Sequence, residues 1–202
     1  LIKGSREMGA GRWTVIQVPT MSFYEYCELL DLERPNIAPD LKVTTMLRKS
    51  QIERTQIMMQ LSKVQNHFMR YLQVGGFPEL ALADNDLMAQ QIMREDVVDK
   101  VLKRDLPSLY NIRNATELER IFLYLCNVSS EIISIEAITK ELNGVSRTTV
   151  ENYIQYLESA KLIYQSWPVD MAGKKVLKAR PKIYIADAAI RNAVLMDDSV
   201  LT

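Results

Sequence analysis

Residues that bind metals or form disulfides are scarce in this sequence. It contains one histidine, His67, and two cysteines, Cys27 and Cys126, which lie far apart in apolar helical patterns. These residues have neither the spacing of a metal site nor that of a disulfide framework, so we expect no metal and a reducing compartment. His67 has no nucleophile or ligand candidate nearby in the sequence, which favours a surface or packing role over general-base catalysis.

Net charge and long apolar runs are also absent. The 25 basic and 25 acidic side chains cancel, so any basic surface has to be local. No segment resembles a signal peptide or reaches the roughly 18 apolar residues of a membrane-spanning helix. We therefore expect a cytoplasmic protein that has no membrane partner.

Glycine and proline are limited to seven residues each, yet two glycines and a proline fall within positions 75–78, GGFP. This segment ends a pattern in which apolar residues recur every three or four positions, as on one face of a long helix. The apolar positions are Ile57, Leu61, Val64, Phe68 and Tyr71. GGFP is therefore either an ordinary helix-to-helix corner or a backbone shaped to meet a ligand.

The remainder of the first 110 residues also has mainly helical patterns. Residues 13–18 have strand composition, and Ser22 with Glu25 predicts a capping box at the start of a short helix. Residues 33–50 have the composition of a loop. A second long helix is expected over about residues 87–102, and a proline soon afterwards is expected to stop it.

From residue 116 onward the predicted units are shorter. The stretch 116–119, TELE, predicts a capping box for a first helix; a second helix follows, and Ser146 caps a third after a left-handed turn at 143–144. The segments 162–164 and 182–185 alternate as a strand pair does. Three helices followed by a β-ribbon indicate a winged helix-turn-helix.

Basic residues are concentrated in the turn of this ribbon and at the start of the third helix. The turn carries Lys174, Lys175, Lys178, Arg180 and Lys182, with no acid among them. The third helix begins with Arg147, Thr148 and Thr149, where a DNA reader presents side chains and amides. Glu151 and Glu158 share this helix, so we expect no base-specific readout. The alternative is a winged helix used for packing, with a solvated basic turn.

A catalytic constellation cannot be assembled from the sequence. Residues 4–11, GSREMGAG, have the glycine spacing of a phosphate loop, but Ala10 and Gly11 stand where that loop requires Lys and Ser or Thr. Residues 183–187, IYIAD, are similar to a magnesium-binding strand, yet without a phosphate loop a core strand explains them better. We expect this chain to be non-catalytic.

Five segments, taken together and in order, resemble landmarks of a family of prokaryotic AAA-type ATPases that carry a C-terminal region of unknown function. They are GAGRWTVIQVPTMSFYEYCEL (9–29), YLQVGGFPEL (71–80), LKRDLPSLY (102–110), GVSRTTVENYIQYLESAKLIY (144–164) and KIYIADAAIRNAVL (182–195). In that family the Walker motifs precede the first landmark, and a nuclease-like domain follows the winged helix. The resemblance implies a C-terminal portion of a longer protein, with ATP and Mg²⁺ bound in the parent and no cofactor in this chain.

The resemblance also implies a division of the chain. The expected parts are the end of the ATPase core (1–32), a helical lid (45–110), a winged helix (115–186) and the start of a truncated nuclease-like domain (187–202). The expected fold class is mainly α, with small β elements. The expected partners are the missing ATPase core and C-terminal domain, together with weak, non-specific DNA.

Nucleotide contacts are implied at two places. GGFP resembles a turn that lies against adenine in related ATPases, which implies contacts from Gly75, Gly76 and Pro78. Arg12 resembles a family arginine able to contact a γ-phosphate, a role that suits a fixed guanidinium. Without the resemblance, these residues are an interhelical corner and a surface arginine.

The function expected from these observations is regulatory: nucleotide state is coupled to a winged-helix effector. The main alternative is a free-standing winged-helix DNA-binding transcriptional regulator. A nuclease-related enzyme is a third possibility.

Overall fold

The computed structural model describes residues 16, 18–34, 37–38, 41–168 and 179–196. These residues form a mainly helical fold with a small antiparallel sheet, as the sequence predicts. The elements in chain order are α1 (Phe23–Leu29), α2 (Val43–Met46), α3 (Gln51–Lys63), α4 (Gln65–Val74), α5 (Pro78–Ala81), α6 (Asp86–Ile92), two π-helical segments (Met93–Asp99 and Val101–Asp105), α7 (Leu106–Tyr110), α8 (Ala115–Asn127), α9 (Ile135–Glu141), α10 (Arg147–Ser159), β1 (Ile163–Ser166), β2 (Lys182–Ile185) and α11 (Ala188–Leu195).

The chain enters α1 through the predicted capping box. The Glu25 carboxylate accepts from the Ser22 amide at 2.7 Å, and Ser22 Oγ accepts from the Glu25 amide at 3.4 Å. The expected strand over 13–18 is not seen at its two described residues: Ile16 and Val18 lie in no strand and are 80% and 88% exposed. The rest of that stretch lies outside the described residues. The expected loop over 33–50 contains the one-turn helix α2.

The long helix expected to end at residue 74 is two helices. Val64, with φ −102° and ψ 4°, caps the end of α3 and the start of α4. α3 buries none of its side chains. Because helices in proteins are held mainly by packing of a buried face, nothing in the described core fixes α3 in line with α4.

The second long helix extends further than the sequence predicts. α6, the two π-helical segments and α7 follow one another without a break, so Pro107 does not end the helix. Pro107 lies in the first turn of α7, a position that tolerates a missing N–H. Asn111 ends the helix with a left-handed φ of 52°.

The next three helices have the expected order, but the first cap differs. Asn114, rather than Thr116, caps α8: its side-chain oxygen accepts from the Glu117 amide at 3.4 Å. Asparagine is a strong N-cap residue, so the helix begins earlier and Thr116 lies within its first turn. Gly144 has φ +96°, as the predicted turn requires, and Ser146 caps α10.

The predicted strand pair is present and has a third neighbour. β1 and β2 are antiparallel, with Gln165 opposite Ile183. On the other side of β2, the Ser130 amide donates to the Ile183 carbonyl at 2.6 Å, and the Ile133 amide donates to the Pro181 carbonyl at 3.2 Å. β2 therefore lies between β1 and the segment that precedes α9.

Buried apolar side chains form one continuous cluster from Tyr26 in α1 to Ala193 in α11. α11 packs against α4, the first π-helical segment and α8. α11 therefore shares this core, and the domain boundary at residue 187 that the resemblance implies stays a prediction. Each fully buried Leu, Ile or Phe stabilises such a core by about 1.5–3 kcal/mol. Among the described helices, none is both long and apolar enough to cross a membrane.

Candidate functional site

The GGFP segment forms the corner between α4 and α5. Gly75 has φ 80° and ψ −174°, a region that is nearly restricted to glycine, and its amide donates to the Tyr71 carbonyl at 2.8 Å. Pro78 occupies the first turn of α5, where its fixed φ suits a helix start. The corner's shape therefore follows from the residues that form it.

Gly76 joins this corner to two distant segments. Its carbonyl accepts from the Met21 amide at 2.7 Å, and its amide donates to Asp187 Oδ2 at 2.8 Å. The Tyr71 hydroxyl donates to the Met21 carbonyl at 2.8 Å. The corner thus holds both the segment that enters α1 and the residue that precedes α11.

Neither glycine has room for a side chain. A Cβ on Gly75 would lie 2.5 Å from Asp187 Oδ1 and 2.9 Å from the Ala189 Cβ, and one on Gly76 would lie 2.4 Å from the Met21 carbonyl oxygen. Both glycines are buried, whereas Pro78 is exposed. The Gly75–Gly76 backbone is packed against the protein's own chain, so the fold itself requires both glycines; the nucleotide contacts that the resemblance implies for Gly75, Gly76 and Pro78 stay a prediction.

Asp187 accepts hydrogen bonds at this corner, a role that the sequence analysis did not predict. It is 8% exposed; Oδ1 accepts from the Ala189 amide at 2.9 Å, and Oδ2 accepts from Gly76. Burial raises the pKa of Asp187, and the two amide donors partly oppose this shift. Within the described residues, no cation forms an ion pair with Asp187. Burial also raises the pKa of Tyr71, and the negative charges of Asp187 and Glu25 add to that shift.

The predicted nucleic-acid residues of α10 lie together at its N-terminal end. Arg147 Nη1 lies 2.8 Å from Glu136 Oε1, and Arg147 Nε lies 2.8 Å from Glu151 Oε1. Thr148 is exposed, while the Thr149 hydroxyl is 2.8 Å from the hydroxyl of the capping serine. The Arg147 charge is therefore compensated by two carboxylates. The other candidates, Arg12, Lys174, Lys175 and Lys178, lie outside the described residues.

A cleft of about 560 Å³ opens beside this end of α10. It lies between α9, α10, β1 and the residues that precede β2. Its polar lining consists of Glu136, Arg147, Glu151, Gln155, Gln165 and Arg180, and Trp167 is its aromatic residue. The sequence analysis missed Trp167, although a tryptophan three positions after the predicted strand 162–164 was a usable signal.

Metal chemistry has no candidate in the part of the chain that the structure describes. No three His, Cys, Asp or Glu side chains there are grouped so that they could hold a metal ion.

Similarity to known proteins covers the corner, the three-helix unit and α11. Residues 65–200 match a family described as a domain of unknown function, DUF8612. The chain belongs to the DUF8612 family. The DUF8612 match begins at the first residue of α4, so it includes both Gly76 and Asp187 but not Met21.

Two curated relatives are themselves uncharacterised. A protein of Methanocaldococcus jannaschii is 33% identical over 121 residues, which make up 58% of this chain and 26% of that protein. A protein of Haemophilus influenzae is 23% identical over 156 residues, which make up 75% of this chain and 38% of that protein. This DUF8612 chain spans less than half the length of both relatives. No solved structure shows a significant match to it.

Proposed function

We propose that this chain is a regulatory, non-catalytic part of an AAA-type ATPase of the cytoplasm and couples nucleotide state to a winged-helix effector. The observation that carries the proposal is that the Gly76 backbone forms hydrogen bonds to two distant segments. The two peptide units that flank the Gly76 Cα are held by Asp187, at the start of α11, and by Met21, at the entrance to α1. A shift of the entering segment therefore has to disturb the contact that positions α11.

The arrangement of residues 115–185 supports the effector half of this proposal. Three helices are followed by an antiparallel ribbon, and the segment before α9 pairs with the inner strand of that ribbon. This order of elements supports the proposal of a winged helix. Stacking of Tyr110 on Tyr156, with ring centroids 3.7 Å apart, joins the end of α7 to α10. The unit is therefore tied to the preceding helices, the proposed lid.

The role of the corner in this proposal is mechanical. ATP and Mg²⁺ would be bound in the parent protein, while the Gly75–Gly76 backbone packs so closely on the chain's own atoms that a Cβ at either glycine would clash with them. Closely packed interfaces switch between discrete arrangements rather than deforming continuously. The corner can therefore transmit a movement of the entering segment without touching the nucleotide.

Hydrogen exchange in the longer protein that this proposal requires tests the coupling. Adding Mg²⁺ and a non-hydrolysable ATP analogue is expected to change the exchange of peptides that contain Gly76 and residues 187–195. Gly76→Ala is expected to abolish the response of residues 187–195, because its Cβ would displace Met21. Unchanged exchange in both regions would contradict the proposal. The present chain alone is expected to release no phosphate from Mg²⁺-ATP.

A DNA-binding transcriptional regulator is the second candidate, favoured by the exposed Thr148 at the start of α10 and by the basic residues between 174 and 182. Weak duplex binding of about 10⁻⁴–10⁻⁶ M that falls steeply with salt would support it. The double variant Lys174→Glu/Lys175→Glu is expected to abolish such binding. Glu136→Gln/Glu151→Gln is expected to strengthen it, since it frees the Arg147 charge.

A further inference from the structure

The cleft beside α10 has a chemistry that the coupling role does not use. Its floor carries Ile133 and Ile154, which are buried, and its rim carries the exposed Trp167. A volume of about 560 Å³ is within the range of about 300–1,000 Å³ typical of small-ligand pockets. The cleft therefore offers both apolar surface and room for a flat ring.

Trp167 is 54% exposed and directly follows β1. Gln165 and Trp167 both line the cleft, whereas Tyr164 does not, as the alternation of side chains along a strand requires. Because Trp167 is only half covered, the described core does not depend on it. An exposed indole face is available for stacking against a ligand ring.

Two glutamine side-chain amides provide polar groups near the indole ring of Trp167. Gln155 is exposed on α10. Gln165 donates through its side-chain nitrogen to Glu158 Oε2 at 2.7 Å, which fixes the orientation of its amide. Its side-chain oxygen accepts no hydrogen bond from the described residues. The cleft thus presents amide donors and acceptors of the kind that bond to base edges.

Charge is distributed unevenly across the cleft. On the helix side, Arg147 is paired with both Glu136 and Glu151, so three charged groups leave a net negative charge. On the ribbon side, Arg180 is exposed and forms no direct ion pair among the described residues, although hydrogen bonds, and to a lesser extent the positive charge of Arg180, lower the pKa of Glu136. A duplex laid along α10 would bring its phosphates against two carboxylates. A single nucleic-acid strand whose phosphates face the ribbon side would contact Arg180 instead.

We propose that this cleft binds single-stranded nucleic acid. One base stacks on Trp167 and bonds to the amides of Gln155 and Gln165, while a backbone phosphate lies against Arg180. Stacking on an aromatic side chain is tolerant of base identity, so the site reads a single strand rather than a sequence. Such a site would give the effector a ligand. This proposal does not depend on whether the chain responds to ATP.

The chain allows a direct optical test, because Trp13 and Trp167 are its two tryptophans. In a Trp13→Phe background, Trp167 is the single fluorescent indole. Titration with a ten-residue oligothymidylate is expected to quench its fluorescence, whereas a duplex of equal length is expected to bind at least tenfold more weakly. Equal affinity for duplex and single strand, or no quenching at low salt, would overturn the proposal.

Substitutions then locate the contact, with binding followed by anisotropy of a labelled oligonucleotide. Trp167→Ala is expected to weaken binding about 5- to 150-fold, the range for loss of one stacked base. Tyr164→Ala removes an exposed aromatic from the other face of β1 and is expected to leave the affinity unchanged. Arg180→Gln is expected to weaken binding and to lower its salt dependence. Equal effects of Trp167→Ala and Tyr164→Ala, with unchanged thermal midpoints, would also overturn the proposal.

Discussion

The backbone amide of Gly76 donates to Asp187 Oδ2 at 2.8 Å, which joins residues 111 positions apart. Asp187 also caps α11 through the Ala189 amide. One buried carboxylate therefore satisfies two backbone donors that lie in different segments. A buried amide that loses its acceptor costs about 1–3 kcal/mol, so this carboxylate links the stability of the corner to that of α11.

Gly75→Ala is expected to destabilise the protein by about 3 kcal/mol or more. The new Cβ would meet Asp187 Oδ1 at 2.5 Å, and the backbone conformation is already unfavourable for alanine. Gly144→Ala is the matched control, because Gly144 also has positive φ but a Cβ added there would meet no atom within 4 Å. Gly144→Ala should lower the free energy of unfolding by only about 1–2 kcal/mol. Urea unfolding midpoints decide this comparison, and equal losses would mean that packing against Asp187 is unimportant.

The carboxyl of Asp187 is expected to make stability depend on pH. Burial raises its folded-state pKa above the ordinary 3.8, so the folded state binds the proton more tightly than the unfolded state does. The stability that this protonation contributes is fully present below the pKa of Asp187 in the unfolded state, and it is lost as pH rises through the pKa of Asp187 in the folded state.

Asp187→Asn tests this dependence. At low pH the protonated carboxyl of the wild type and the amide of the variant each offer one carbonyl oxygen to the two backbone amides, so we expect the two proteins to have similar stability there. As pH rises from about 4 toward 7, the free energy of unfolding of the wild type should fall relative to that of the variant, since only the wild type has an ionising group here. Urea unfolding at several pH values measures the difference, with Asp84→Asn as an exposed control. A wild type that gains stability relative to the variant as pH rises would contradict the raised pKa.

Local signals in the sequence identified the elements, but not their contacts. Ser22 with Glu25, and Gly144 before Ser146, were predictable because a cap or turn involves residues a few positions apart. The long helix broken at Val64 was mispredicted, because its periodicity continues across a break that depends on tertiary packing. The paired glycines gave a local signal, but sequence spacing gave no means of predicting their contact with Asp187.

Arg70 illustrates the same limit. Its guanidinium donates to Asp86 Oδ1 at 2.9 Å, to the Tyr26 hydroxyl at 2.7 Å and to the Ala81 carbonyl at 3.1 Å. These acceptors belong to three separate segments. In the sequence, Arg70 looks like an ordinary polar residue of an amphipathic helix.

Both cysteine thiols are expected to be unreactive in the native protein. Burial raises the pKa of Cys126 to about 12 and also raises that of Cys27. Since the thiolate is the nucleophile, a disulfide reagent at pH 8 should modify neither residue faster than the protein unfolds. Addition of denaturant should expose both thiols at once. Rapid reaction of one thiol in buffer would show that its surroundings open locally.

The stack of Tyr110 on Tyr156 is expected to couple the helices before residue 111 to α10. The rings are 3.7 Å apart at an interplanar angle of 12°, and aromatic pairs contribute about 0.5–1.5 kcal/mol beyond the area that they bury. A double-mutant cycle with Tyr110→Ala and Tyr156→Ala should therefore give a coupling energy in this range.

A second cycle supplies the control for that coupling. Tyr110→Ala combined with Tyr164→Ala should be additive, because Tyr164 lies on β1 and the ring that stacks on Tyr110 is that of Tyr156. Unfolding free energies of the single and double variants give both coupling energies. If the Tyr110–Tyr156 cycle were also additive, the stack would not join the two parts of the fold, and a movement at the Gly76 corner would have to reach α10 through α11 alone.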